Sequence, residues 1–167
     1  LMLKINYSNL FLYLAIVIFI FILDRIAKFY ILNLTEVNNS VDIYVTSFLN
    51  LHLIWNKGIA FGLLSFSESS IYNFITILII VITFVILIMI VKSNDYRAYF
   101  LIFILSGSLS NLFDRINYSS VPDFIDFHVN DFHWFIFNVA DIFITIGVIC
   151  LIFVEIFFKK NVNNEND

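Results

Sequence analysis

Apolar residues run in long stretches along this chain, broken by short polar clusters, and the lengths between charges set out the architecture. A helix needs about 20 apolar residues to cross ~30 Å of hydrocarbon. Ile5 to Leu23 behind Lys4, and Ile71 to Val91 before Lys92, meet that length as they stand. Ala98 to Phe113 offers 16 positions, about 24 Å of helix, between Arg97 and Asp114. Ile142 to Val154 offers only 13, about 20 Å, and reaches 21 if extended back to Trp134. That extension draws Asn138 and Asp141 into the fourth helix. An ionisable group there is costly in lipid, so it is expected to face protein and to serve function.

Between the first two spans the pattern changes. Val41, Ile43 and Val45, then Leu49, Leu51 and Leu53, alternate at the strand period. The reading is a small external sheet over about 41–66, with Trp55-Asn56-Lys57-Gly58 turning toward the membrane and Gly58 supplying backbone freedom. Phe124 to Trp134 is rich in Phe but interrupted by Asp126, His128, Asn130 and Asp131, which suits an interfacial segment anchored by Trp134. The fold class expected is an all-α integral membrane protein with four transmembrane helices, a small external β-sheet cradle and an interfacial segment. The spans fall at about 5–23, 71–91, 98–114 and 134–154 of one membrane domain, 1–160, with 161–167 a disordered tail.

Composition removes the alternatives. The chain is 61% hydrophobic and 13% charged, far from a soluble globule. A net charge of −4 without a basic run argues against nucleic-acid binding. The single Cys150 lies in an apolar run without a histidine beside it, where a thiol stays protonated and inert. The first span resembles a secretory leader but runs into Asp24-Arg25-Ile26-Ala27-Lys28 without a small-residue cleavage site, so it is expected to be retained. Lys4, Lys92, Arg97, Lys159 and Lys160 gather at the termini and the second loop, whereas Ile116 to Trp134 has neither Lys nor Arg, which places both termini in the cytoplasm.

The polar residues at membrane depth fall at one side. Asp24 and Lys28 end the first span, Asn111, Asp114 and Arg115 end the third, and Asn138 and Asp141 begin the fourth. Asn111 with Asp114, and Asn138 with Asp141, are i,i+3 pairs, so each shares a helix face. Asp24 and Lys28 form an i,i+4 pair with the acid first, read as a structural clasp. Arg115 beside Asp114 reads as holding that carboxylate ionised and orienting it. Asp123 has no cationic neighbour in sequence and Asp141 is embedded among apolar residues. If the two face one another, repulsion disfavours double ionisation and one shared proton leaves an acid and a base around a water. His128 and His133, with Asp126 and Asp131, are the only metal-like cluster, but their place in an exposed stretch leads us to expect no metal and no cofactor. His52 reads as a solvated strand residue. A transporter or proton relay is the rival class, since intramembrane acids also mark ion pathways; against it, the polar residues stop near one face.

Together these segments resemble the lipoprotein signal peptidases, or signal peptidase II. The likeness rests on Asp24 with Lys28, Asn56-Lys57-Gly58-Ile59-Ala60-Phe61, Asn111-Leu112-Phe113-Asp114-Arg115, Val121-Pro122-Asp123-Phe124 and Phe137-Asn138-Val139-Ala140-Asp141, in that order. It implies a multi-pass enzyme of the bacterial cell (inner) membrane, its termini cytoplasmic and its active site near the outer face. It implies an aspartic endopeptidase whose dyad is Asp123 and Asp141, with Asn56, Asn111, Arg115 and Asn138 contacting substrate backbone or globomycin-like inhibitors. Asp24, Lys28, Asp114 and Gly58 are then structural. The implied substrate is a prolipoprotein carrying diacylglyceryl on its lipobox cysteine, cut before that cysteine, in contact with membrane lipid; a monomer is expected. Pro122, Ser106, Ser110, Ile59 and Ile142 depart from the common pattern, and Pro122 is expected to hold Asp123 more rigidly.

Overall fold

The structure is a computed structural model that describes residues 7–38, 40–58, 69–93, 95–130 and 132–163. Lys4, Ile59, Ala60, Phe61, Asp131, the end of the expected sheet segment and the last four residues of the tail lie outside the described residues. In chain order the elements are α1 (Tyr7–Asn38), β1 (Asp42–Thr46), β2 (Leu49–Asn56), α2 (Ser69–Lys92), α3 (Arg97–Tyr118), β3 (Val121–Val129), β4 (Phe132–Phe137) and α4 (Val139–Asn163). The protein is a helix-rich membrane protein carrying a four-stranded antiparallel sheet in the order β1-β2-β3-β4.

Among the described residues three helices, α1, α2 and α4, are long and apolar enough to cross a membrane. Their outward surfaces carry large apolar side chains such as Phe11, Phe19, Phe74, Phe84 and Ile149, as expected where lipid rather than water is the solvent. α3 differs because it packs against all three of the others. Its buried face includes Ser106, Gly107, Ser110, Asp114 and Arg115. Polar and small residues survive there because protein, not lipid, surrounds them.

α1 does not end where its apolar run ends. It continues through Asp24, Arg25 and Lys28 to Asn38, and its 32 residues give about 48 Å of helix. Ile20, Asp24, Lys28 and Ile31 are all buried, and their spacing places them on one stripe. The last turns reach the sheet, where Ile31 packs with Val41 and Phe124.

Small residues set the distance between α3 and α4. A Cβ on Gly107 would stand 2.5 Å from the Ala140 carbonyl oxygen, and one on Gly147 would stand 2.6 Å from that of Phe100. Both obstacles are backbone. α3 can therefore approach α4 only through these two glycines, as in other close membrane helix pairs.

Two expectations need correction. The stretch Phe124 to Trp134, read as an interfacial excursion, forms most of β3 and the start of β4, so the sheet has four strands rather than only those of the 41–66 region. The cause is an inverted alternation: Asp126 and His128 are buried while Phe127 and Val129 are exposed. Trp134 to Phe137, counted into the fourth helix by length, belong to β4, and the helix begins at Val139 and runs on through residues 161–163 of the expected tail. Pro122 sits where β3 has β2 as its partner but has not yet met β4, whose pairing starts at Ile125. A missing N–H is tolerated on such an unpaired side.

Alanine normally stabilises a helix relative to glycine by roughly 0.5–1 kcal/mol. At these two positions the sign should reverse. Gly107→Ala and Gly147→Ala are each expected to lower the thermal unfolding midpoint of the detergent-solubilised protein; a rise in either would show that the helices are not in this contact.

Candidate active site

The amino terminus of α4 organises the site. The first N–H groups of a helix have no partner within it. Asn138, immediately before Val139, acts as N-cap. Its Oδ1 accepts from the Asp141 backbone N–H at 3.1 Å, and the Asp141 Oδ2 accepts from the Asn138 N–H at 3.2 Å. This reciprocal exchange is a capping box written with Asn and Asp. The next free donor, the Ala140 N–H, bonds Asp24 Oδ1 of α1 at 2.9 Å. Helix termination thus fixes Asp141 in place before any chemistry is considered.

Asn138 has a second function. Its Nδ2 donates to Asp123 Oδ1 at 2.6 Å, so one side chain touches both members of the expected pair. Asp123 Oδ2 accepts from Asn56 Nδ2 at 2.8 Å. Asn56 is itself held by the Gly58 N–H, which donates to Asn56 Oδ1 at 2.8 Å. Asn111 on α3 donates to Asp141 Oδ1 at 2.8 Å and accepts from Lys28 Nζ at 2.9 Å. Asp123 and Asp141 are both buried, and the side-chain donors on them are neutral amides.

Burial and the neighbouring Asp141 carboxylate push the Asp123 carboxyl up to about 7, against the opposing hydrogen bonds from Asn56 and Asn138. Such a group is suited to holding a proton near neutral pH.

The other two acids stand in contrast. Asp24 and Asp114 are wholly buried and bind cations directly. Lys28 Nζ lies 2.8 Å from Asp24 and 2.6 Å from Asp114. Arg25 reaches Asp24 at 2.9 Å and grips Asp114 through both terminal nitrogens, with its guanidinium also over the Phe21 and Phe113 rings. Two acids and two bases thus form a neutral cluster joining α1 to α3, and Asp24 carries it to α4. Ser110, one of the departures from the common pattern, donates to Asp24 at 2.6 Å.

Arg115 does not hold Asp114, contrary to expectation. Its guanidinium donates to the Gly58 carbonyl and lies over the Tyr72 ring, and Tyr72 donates to the Arg115 carbonyl at 3.0 Å. Adjacent residues on a helix point about 100° apart, so Asp114 faces α1 while Arg115 faces the turn after β2. Arg25 takes the role assigned to Arg115. The signal was present, since Arg25 and Lys28 are i,i+3 on one face of α1. Two buried guanidinium nitrogens of Arg115, Nε and NH1, have no hydrogen-bond partner among the described residues.

A bundle of apolar helices long enough to cross a membrane, with two buried carboxyl groups joined through Asn138, defines the class as a multi-helix membrane protein. The matching family model is that of signal peptidase (SPase) II, over residues 16–158, and the chain belongs to that family, which makes it a membrane peptidase. The lipoprotein signal peptidase of Pelagibacter ubique (strain HTCC1062) is 57% identical across 98% of this chain and 99% of its own. That of Anaplasma phagocytophilum (strain HZ) is 38% identical across 84% and 89%. Two solved structures of bacterial membrane enzymes share the fold. One has a TM-score of 0.68 at 27% identity over 90% of both chains; the other has 0.71 at 26% over 85% and 90%.

Removing one member of a buried ion cluster leaves an uncompensated charge, at a cost of about 3–5 kcal/mol. Asp114→Asn is expected to lose about that much stability in a denaturing-detergent titration, and Asp114→Asn with Arg25→Gln should recover part of it. Equal losses in the single and double variants would contradict the cluster. The raised Asp123 value also has a sign. Its carboxyl holds a proton more tightly folded than unfolded, so the stability gained is full below about pH 4 and disappears as pH rises through about 7. The melting midpoint should fall across that window, and Asp123→Asn should flatten the fall.

Proposed function

We propose that this protein is an aspartic endopeptidase that removes the signal peptide from diacylglyceryl-modified prolipoproteins, cutting before the lipidated cysteine. The observation that carries this reading is the Asn138 bridge: one residue holds two buried carboxyl groups from different elements, Asp123 through its side-chain amide and Asp141 through its backbone N–H. The curated relatives bear the name lipoprotein signal peptidase, which supports the substrate class.

Asp123 and Asp141 share one proton. The ionised member takes a proton from a water as its oxygen attacks the scissile carbonyl, while the protonated member donates a hydrogen bond to that carbonyl. In the second step the C–N bond breaks and the amine leaves with a proton returned by the pair. Asn56, Asn111 and Asn138 position the carboxyl groups. Arg115 positions the Gly58 turn, and its Nε and NH1, without a partner among the described residues, are donors for substrate carbonyl groups. Asp24, Lys28 and Asp114 hold the helices that carry these residues.

The enzyme lies in the bacterial inner membrane, with α3 as a fourth crossing inside the other three, the termini in the cytoplasm and the site near the outer face. The distribution of Lys and Arg supports this orientation. It acts as a monomer, in contact with lipid, and globomycin-like peptides occupy the same site.

Asp123→Asn and Asp141→Asn are each expected to reduce cleavage of a lipidated precursor by about 10²–10⁴-fold or more while the folded protein remains extractable in detergent. For the unaltered enzyme, kcat/KM should fall as pH rises through about 7, where the pair loses its shared proton. Near-normal turnover by either variant, measured by gel shift of the precursor, would sink the dyad.

A further inference from the structure

The hairpin of β3 and β4 gathers a second cluster of titratable side chains, away from the Asp123 and Asp141 pair. In a strand, residues two apart share a face, so Asp126 and His128 point the same way. Across the ladder His128 pairs with His133, and directly opposed residues also share a face. Three metal-binding side chains therefore meet on one side of the sheet. Their ligand atoms all lie within 4.8 Å of one another. The two imidazoles stack with centroids 5.2 Å apart, and His133 Nδ1 is 2.7 Å from Asp126 Oδ2.

The hydrogen bonding of this cluster is incomplete. Asp126 and His128 are buried, yet Asp126 Oδ1 and His128 Nδ1 have no hydrogen-bond partner among the described residues. Asn50, opposite Asp126 on β2, adds a third buried atom without a partner among the described residues, its Oδ1. Two of the three can only accept. Leaving such groups buried without a partner is costly, and a cation that accepts lone pairs from all of them removes the cost together. His133 is half exposed, which gives an ion a way in from solvent.

We propose that Asp126, His128 and His133 bind one divalent transition-metal ion, with zinc the best match to two imidazoles and a carboxylate. Tetrahedral donors at about 2.0–2.2 Å from zinc stand ~3.4 Å apart, so ligand atoms as far as 4.8 Å from one another close by about 1 Å while the 2.7 Å contact of His133 with Asp126 opens. The fourth position is left to water or to Asn50 Oδ1. The ion clips β4 to β3, the strand whose first residues carry Asp123. The proposal does not rest on the peptidase mechanism, and its test does not read activity.

The experiment uses the full chain in detergent, stripped with chelator, and zinc chloride as the only probe. Calorimetric titration is expected to give one zinc per chain with micromolar or tighter affinity, and zinc should raise the melting temperature. Cobalt in its place should give the visible bands of a tetrahedral ion. His133→Ala, at a half-exposed position, should weaken zinc binding by about tenfold or more, and Asp126→Asn should do the same. His52→Ala, an exposed histidine on β2, should leave affinity unchanged. Absence of saturable binding at millimolar zinc would overturn the site, as would equal losses in His52→Ala and His133→Ala. A melting temperature that follows pH through His133 but ignores zinc would instead identify a proton-linked His–Asp pair and also overturn it.

Discussion

The beginning of α4 is the constraint on which the rest depends. A helix that starts inside protein must find acceptors for its first N–H groups, and here they come from three places. Asn138 and Asp141 satisfy one another, while Asp24 arrives from α1 to take the Ala140 N–H. The same bonds that end the backbone problem also place a carboxyl group from α4 beside one from β3, through the Asn138 amide. Gly107 lets α3 come close enough to Ala140 for Asn111 to reach Asp141. A helix cap, a glycine contact and a buried acid are thus parts of one arrangement.

Charge balance separates the acids into two kinds. Asp24 and Asp114 touch Arg25 and Lys28 directly, and the four together carry no net charge, which is how they persist wholly buried between helices. Asp123 and Asp141 receive hydrogen bonds from neutral groups, and the nearest link to a cation passes through Asn111 to Lys28. A carboxylate locked against a guanidinium gives up its readiness to take a proton. One held by amides keeps it.

Much of this was legible in the chain. Run lengths between charges located the helical segments, and the family motifs named the residues that now surround Asp123 and Asp141. Adjacency misled at Arg115, because neighbours along a helix point apart and only the three-dimensional packing reveals that Arg25 faces Asp114. Length arithmetic misplaced the start of α4, since Trp134 to Phe137 are as apolar as a helix yet extend β4. Residues Asp126 to Val129 concealed a strand for a sharper reason. Their polar members are buried and their apolar members exposed, so a reading that assigns hydrophobic positions to the interior inverts the pattern.

The three asparagines of the site share one logic that explains why amides, not acids or bases, occupy those positions. In each, the oxygen is held by a donor whose identity is unambiguous: the Gly58 N–H for Asn56, the Lys28 ammonium for Asn111 and the Asp141 N–H for Asn138. That fixes which end is oxygen and turns the amide nitrogen toward a carboxyl group in every case. Aspartate at any of them would offer only acceptors and set another negative charge against the pair. Lysine would donate but bring a charge that favours full ionisation. Only a neutral side chain with a donor and an acceptor can join the framework to the carboxyl groups without deciding their protonation.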